Sequence, residues 1–586
     1  MNKLRKYVLI FSAVWACAVF LGRFSGTLIP CDVPEGACRN PGIHGKVLVL
    51  VPHEDDEINL MGGVFELLRD DCEIWVVFST NGVGTGKPVR NAEACRALAQ
   101  FGIPADHVIF LGFDVMPLRG AGTHLYNRPR NEVTTSPYGR DATWSPSGFP
   151  CHAPNLPYTQ ANFEGDIKDI IAAMKPEHIF ITGYDLHSDH RALDLSAKRA
   201  LAVVMKENPA YRPEVYSGFA YSDCWYQEPD FYDSVNIGST KHLNEGEHME
   251  EVNCLLWRER LRLPVGAGSI TRTLMGNLTV ASFRQHDSQG HANIRIFERI
   301  SNGDRVYWWI PTQNAALFAQ VSANGERVDQ LNDFLLYDST DISNPDRMPF
   351  DNGWRPQGGR GTVEFTWDSP IVIREIHLFD HPDEANQITR LTIRLSNGKT
   401  IPVTDLPKYG NRFIVETMCS EPISGFSLTI DESTGEGSGL SEVEAYTSHP
   451  QSTLRVAKLQ DADGNFMYDY ITGEDGQLRF SLYTWGCSAD GITVKVKETG
   501  EVVQKDGDSY SLNLPQGEAC TLRVTDSAGA TMDEARISNP SSFKRSLITL
   551  ARAWDRHVVD ISRHNQIRYY KELIKWGYLP LLKGLL

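Results

Sequence analysis

From residue 45 to about 222 the chain alternates unbroken apolar runs with segments whose apolar residues recur every three or four positions. The runs GKVLVLV, EIWVVFS, HVIFLGF and HIFITGY lack in–out alternation, so each predicts a strand buried on both faces. Between them INLMGGVFELLRD, RNAEACRALAQFG, GDIKDIIAAMK and RALDLSAKRALAVVM carry the helical period. Strands of this kind separated by helices predict a parallel sheet with helices on both faces. One connection, residues 113–158, is long and rich in Gly, Pro and aromatics. A loop of that length inside such a unit is usually functional. Further helix is expected over EGEHMEEVNCLLWRERLRLP and LTVASFRQH.

After about residue 310 the period changes to two. Leu391, Ile393 and Leu395 alternate, Asn397-Gly398 supplies a hairpin turn, and Ile401 and Val403 resume the pattern. Phe426, Leu428 and Ile430 alternate likewise, and a separate block repeats the habit at Ile492, Val494, Val496, Leu512, Leu514, Leu522 and Val524. Two β-sandwiches, residues 315–448 and 450–540, are expected. In the tail, residues 541–586, Phe543, Leu547, Leu550, Trp554, Val558 and Ile561 recur at helical spacing. Ile567, Tyr570, Ile574 and Tyr578 continue it, and Pro580 ends or kinks the helix. This amphipathic tail has nine Lys or Arg against three Asp or Glu. The expectation is that its apolar stripe packs on the chain's own domains while its basic face meets acidic surface. The competing placement is on a membrane.

At 586 residues the chain is too long for one core, and its 41% hydrophobic and 22% charged residues fit a multidomain globular protein. A formal charge of −17 argues against nucleic acid as a partner. The N-terminus stands apart: Lys3, Arg5 and Lys6 precede the apolar run Tyr7–Gly22. That pattern over residues 1–30 reads as a signal anchor or a secretory signal peptide, with everything after it extracytoplasmic. Ala16-Cys17-Ala18 lies inside the apolar run, which favours an uncleaved anchor over secretion. Of 11 Cys, Cys31 and Cys38 stand close together beyond it, and export makes them the best candidates for a disulfide.

The chemistry begins where the first strand ends. VLVLVPHEDDEINLMGG runs five apolar residues into His53, Glu54, Asp55, Asp56 and Glu57. Burying such charge costs several kcal/mol or more unless a partner charge or a metal compensates. A second polar stretch, DLHSDHRA, follows another predicted strand and carries His187, Asp189 and His190. In open α/β sheets ligands bind outside the carboxyl ends of the strands, so both stretches face one rim. Two imidazoles and a carboxylate with an open fourth position suit catalytic zinc. Each stretch alone is equally a helix start rich in acidic residues. NGVGTGK, residues 81–87, matches neither a dinucleotide fingerprint nor a P-loop and reads as a flexible loop of the same rim.

Pro52-His53-Glu54-Asp55-Asp56-Glu57 resembles the signature of the PIG-L/LmbE-like zinc-dependent N-acetyl-sugar deacetylases, and His187-Ser188-Asp189-His190 is similar to their second motif. His286-Asp287-Ser288-Gln289 is similar to their late His-x-Ser-Gln. The resemblance covers roughly residues 45–310 and implies a Rossmann-like catalytic domain. It implies Zn2+ on His53, Asp56 and His190, and Asp55 as the base. It further implies His187 as the oxyanion donor, Asp189 as its orienter, and Ser288 and Gln289 at the substrate. Glu54 departs from the family's usual Pro, adding a charge without removing a ligand. IREIHLFDHP, LTIRLSNGKT and GLSEVEAY resemble galactose-binding-like, discoidin-type sandwiches, which implies carbohydrate contact by residues 315–448. Residues 450–540 are immunoglobulin-like by pattern only. The expected function is removal of acetyl from an N-acetylated amino sugar in a glycan or glycoconjugate, at the outer side of a membrane. The alternatives are a glycan-binding surface protein with an inert deacetylase-like domain, and a metal-dependent amidase acting on a non-sugar amide.

Overall fold

In a computed structural model the described residues are 29–82, 88–114, 125, 128–146, 148–183, 187–220, 225–226, 231–240, 242–243, 255–289, 301–326, 328–334 and 353–563. The N-terminal apolar run, most of the loop 81–87, Tyr184 and the tail beyond residue 563 lie outside them. Among the described residues no helix is long and apolar enough to cross a membrane.

The predicted strands form β1 (Gly45–Val51), β2 (Cys72–Thr80), β3 (Val108–Phe113) and β4 (His178–Thr182), and β5 (Glu214–Gly218) joins them. They pair in parallel in the order β3-β2-β1-β4-β5. Val47 to Val51 are wholly buried, as an unbroken apolar run requires when helices cover both faces. Those helices include α1 (Asp56–Leu60), α2 (Gly63–Leu68), α3 (Val89–Ala99), α4 (Gln160–Met174) and α5 (Ser188–Glu207). INLMGGVFELLRD is two helices rather than one. Gly62 breaks it at φ 41°, and a Cβ there would run into the Arg305 guanidinium.

The sheet also gains two strands that hydrophobic pattern alone does not place. β6 (Leu261–Pro264) and β7 (Asp304–Ile310) extend it past β5, antiparallel, in the order β5-β7-β6. The stretch WRERLRLP, expected as helix, is therefore a 3-10 turn at Trp257–Glu259 followed by an edge strand. The expected helix over LTVASFRQH is α6 (Leu278–Phe283), capped by Asn277, whose side chain accepts from the Val280 amide.

Beyond residue 314 the chain is all β until the last helix. Strands β8 (Gln320–Ala323), β9 (Thr362–Ile371), β10 (Glu375–Asp380), β11 (Ile388–Leu395), β12 (Thr400–Thr404), β13 (Arg412–Glu416), β14 (Ile423–Ser433) and β15 (Leu440–Tyr446) make a five-stranded and a three-stranded sheet. Both contribute to one core, with Val363, Phe365, Leu391 and Ile393 from the first and Ile376, Leu378 and Val443 from the second. The hairpin predicted at Asn397-Gly398 joins β11 to β12, with Leu391 opposite Val403 and Ile393 opposite Ile401. Two four-stranded sheets follow, from β16 (Val456–Asp461), β17 (Asp469–Ile471), β18 (Gln477–Trp485), β19 (Thr493–Val496), β20 (Lys505–Asp506), β21 (Ser509–Asn513), β22 (Ala519–Thr525) and β23 (Thr531–Ser538).

This last β region is fused to the first sheet. Leu454, Val456, Phe466 and Tyr468 join the core cluster of β1 and β2. Arg262 donates to Gln460, Gly464 and Asp304 and lies 3.9 Å over the Phe466 ring. Lys458 donates to the Ala37 carbonyl at 2.8 Å and to Asp533 at 2.6 Å, tying down the segment that precedes β1. Cys31 and Cys38, the expected disulfide, are both free thiols. Cys31 lies beside Arg272 and Asp469, and Cys38 beside Lys458, and burial pushes both thiols up, to about 11 and about 12.

The tail begins as the predicted helix, α7 (Ser542–Arg563), but the face that packs is not the predicted one. Ile548 and Ala551 are buried, together with the polar Arg552 and Asp555. Arg552 donates to the carbonyls of Arg272 and Phe231, at 2.8 and 2.6 Å, and to that of Ser234. Asp555 accepts from the Leu274 amide at 2.7 Å and from the Tyr232 hydroxyl at 2.6 Å. Replacing Asp555 by Ala strands these buried donors at about 1–3 kcal/mol each, so α7 should detach. Hydrogen exchange across residues 542–563 should accelerate while β1–β5 stay protected; unchanged exchange in α7 would show that other contacts hold it.

Candidate metal centre and active site

The site sits where the strand order turns back, between the carboxyl ends of β1 and β4, which is where open α/β sheets bind ligands. Here five buried residues in succession are polar: His53, Glu54, Asp55, Asp56 and Glu57. Every one of the four carboxylates has a cationic partner or an imidazole. Asp56 Oδ2 lies 3.1 Å from both His53 Nδ1 and His190 Nε2 and also accepts from the His53 amide at 3.0 Å. Glu57 meets His286 Nε2 at 2.8 Å. Glu54 and Asp55 each lie 3.6 Å from the Arg90 guanidinium, which also donates to the Glu54 carbonyl.

The second stretch arrives on the N-terminal turn of α5. His187 caps the helix, its Nδ1 accepting from the Asp189 amide at 3.3 Å, and His190 one turn in is fully buried. Nitrogens of His53, His187 and His190 all lie within 4.8 Å of one another. The expected ligands His53, Asp56 and His190 thus converge, with His187 beside them. Asp189 donates from its amide to His187 Nδ1, and its carboxylate meets His53 Nε2 at 3.0 Å. Both nitrogens of His53 therefore face carboxylates.

The electrostatics follow from burial and from the charges that meet there. Burial alone would raise Asp56, yet His190 and His53 outweigh it and hold its carboxyl well below the usual range. Asp189 is lowered in the same way, burial being overcome by the hydrogen bond and charge of His53. Burial alone would lower His53, but hydrogen bonds to Asp189 and Asp56 carry it to about 9. Glu54 is pushed up to about 7 by burial that Arg90 only partly offsets. Glu57 is raised by burial despite His286.

This donor set fits a divalent cation. Two imidazoles and a carboxylate surround one point, and Asp56 Oδ1 and Asp189 Oδ1 are buried there without a hydrogen-bond partner among the described residues. Such oxygens are costly to bury unless a cation or donor satisfies each. Nitrogen and oxygen donors in this number suit zinc.

The remaining sequence candidates brace the rim. Ser288 donates from its amide and hydroxyl to Glu93 of α3, at 2.7 and 2.6 Å. Gln289 donates through Nε2 to the Glu54 carbonyl. The long loop folds back on the end of β3, where buried Asp114 accepts from Ser136 and Arg140, at 2.6 and 3.2 Å, and from Trp144. Arg140 in turn lies 3.9 Å over the Trp144 ring. Sequence reasoning missed Arg90. Its only signal is that it opens α3 directly after the glycine-rich rim loop.

At Asp55 the backbone adopts φ 146°, far from where a residue with a Cβ rests. Such strain costs on the order of 1–3 kcal/mol and collects at active sites, where surrounding contacts enforce it. Here the enforcing contacts are the Asp55 amide donating to Glu57 at 2.8 Å and the start of α1 at Asp56.

Residues 48–201 match the model of the PIG-L family, described as GlcNAc-PI de-N-acetylase, and residues 314–446 match that of a domain of unknown function, DUF7402. No curated protein matches the chain. Similar solved structures include an N,N'-diacetylchitobiose deacetylase from Pyrococcus horikoshii bound to an inhibitor, at 16% identity and TM-score 0.26 over 46% of this chain and 84% of that one. The zinc-inhibited form of a teicoplanin deacetylase matches at 13% and 0.25 over 45% of this chain and 97% of that one. A family 32 CBM from C. perfringens, in complex with galactose, matches at 13% and 0.17 over 22% of this chain and 90% of that one.

Proposed function

Residues 48–201 form a PIG-L domain, and from that premise we propose that the chain is a metal-dependent hydrolase removing acetyl from an N-acetylated amino sugar in a glycan or glycoconjugate. The observation that carries this reading is Asp56 Oδ2 at 3.1 Å from two imidazoles of different strand ends, with Asp55 adjacent. His53, Asp56 and His190 would hold Zn2+, which when bound supplies a Lewis acid for an amide carbonyl and makes water easier to deprotonate.

The protein's own groups do the rest. Asp55 takes a proton from the attacking water and returns it to the departing amine, so the acyl C–N bond breaks to give acetate and a free amino sugar. His187 donates to the oxygen that becomes negative as the carbonyl is attacked. Asp189, against His53 Nε2, fixes that imidazole, a role outer carboxylates commonly play at metal sites. Ser288 and Gln289 are proposed to meet the substrate through groups their internal bonds leave over, the Ser288 Oγ lone pairs and Gln289 Oε1. Arg90, 3.6 Å from both Glu54 and Asp55, offsets part of the cost of burying their charge. The signal anchor of residues 1–30, an extracytoplasmic site and carbohydrate contact by residues 315–448 belong to the same proposal.

Acetate release measured across N-acetylated mono- and polysaccharides, with zinc added and then chelated, tests it. Release from at least one amino sugar, abolished by chelation and restored by zinc, is the expected result. Release from only lipid or peptide amides would shift the substrate class, and none from any amide would leave an inert domain.

A further inference from the structure

Helix α7 docks by one face and presents another. The docked face is Ile548, Ala551, Arg552 and Asp555. Roughly a third of a turn round the helix runs a stripe of Phe543, Leu547 and Leu550, which are 81%, 37% and 67% exposed. Single exposed leucines are ordinary, but three along one stripe are a surface. Lys544, next to Phe543, is exposed as well.

The stripe lies where the N-terminal segment reaches the folded body. Ile29, the first described residue, is buried against Ile471, Ile548 and Ala551, so the chain enters alongside α7 itself. Seven residues upstream ends the apolar run Tyr7–Gly22. Seven residues reach about 25 Å at full extension, whereas the 22 residues of α7 span about 33 Å. A bilayer that receives residues 7–22 must therefore lie within reach of the stripe. Charge points the same way. Residues 541–586 hold nine Lys or Arg against three Asp or Glu in a chain of net −17, so this end is drawn to an anionic surface.

We propose that the Phe543–Leu547–Leu550 stripe lies in the headgroup layer of that bilayer against anionic phospholipid, making α7 a second point of membrane attachment. One tether leaves the body free to swivel; two fix which way it faces. Asp555 holds the backbone of Leu274, and the chain passes from there through α6 to His286, the partner of Glu57. The second attachment thus lies on the stretch that braces the active-site rim. This inference rests on reading residues 7–22 as a membrane segment and is independent of the chemistry proposed above.

The test uses the full chain in nanodiscs of phosphatidylglycerol with phosphatidylcholine, and of phosphatidylcholine alone, with hydrogen exchange read across residues 542–563. Exchange should be slower in the anionic discs by about tenfold. Phe543→Asp with Leu550→Asp should abolish the slowing, and Thr549→Asp with Ala553→Asp, of equal charge but off the stripe, should keep it. Equal exchange in the two kinds of disc, slowing that survives the stripe pair, or slowing lost with both pairs overturns the proposal. Retention of the chain in alkaline-washed membranes reports the N-terminal segment separately.

Discussion

His190→Ala should yield a protein that binds no zinc at stoichiometric concentration and releases no measurable acetate. His190 is one of the two wholly buried candidate ligands, with Asp56. It is wholly buried one turn into α5, a 20-residue helix, and its Nε2 lies 3.1 Å from Asp56 Oδ2. Truncation removes one of two imidazoles that hold Asp56 ionised. Loss of a group that merely orients a ligand costs about 10–100-fold in metal affinity, and loss of a ligand costs more. Metal per chain, measured by mass spectrometry after dialysis against zinc buffers, reads the outcome without any assay of turnover. Cobalt in place of zinc gives a second readout, because its visible absorption reports the ligands directly. A His190→Ala protein carrying one zinc per chain would move the metal to a set built on His53 and His187.

How much of this was open to reading in the sequence depends on the range of the interaction. The apolar run Val47–Val51 and its parallel neighbours were legible because burial on both faces leaves a local mark, and the hairpin at Asn397-Gly398 because turn chemistry is local too. The antiparallel strands β6 and β7 were not, since LRLP is too short to carry a period and its partner lies 40 residues on. The metal-side residues were legible as two polar bursts at strand ends. Their compensation was not: nothing in an isolated Arg at the start of a helix says that Arg90 lies against Glu54 and Asp55, or that His286 answers Glu57.

The tail shows the limit most plainly. Its apolar stripe was easy to see, and assigning it to the protein interior followed the ordinary rule for amphipathic helices. The interior instead took the face bearing Arg552 and Asp555, because backbone carbonyls and amides at Phe231, Arg272 and Leu274 needed partners that only those side chains supply. Unsatisfied backbone groups belong to the tertiary structure and leave no periodicity behind.

Asp55→Asn should keep its metal and lose about 10²–10⁴ in kcat, the usual worth of a general base. The substitution is chosen to change one property. Asn has the shape of Asp, and both tolerate positive φ better than most residues, so the backbone at φ 146° and the start of α1 should survive. What Asn lacks is the ability to take a proton. The carboxylates on either side make the control sharp. Glu54 is also buried, also faces Arg90 and sits at about 7, a value suited to proton transfer near neutrality. It could serve as base in place of Asp55, so Glu54→Gln belongs in the same experiment. If Asp55 is the base, Asp55→Asn collapses kcat at unchanged zinc content while Glu54→Gln alters turnover far less. The reverse pattern would hand the proton to Glu54, the residue in which this chain departs from the signature it resembles, and normal turnover in both would remove the carboxylate turn from proton transfer altogether.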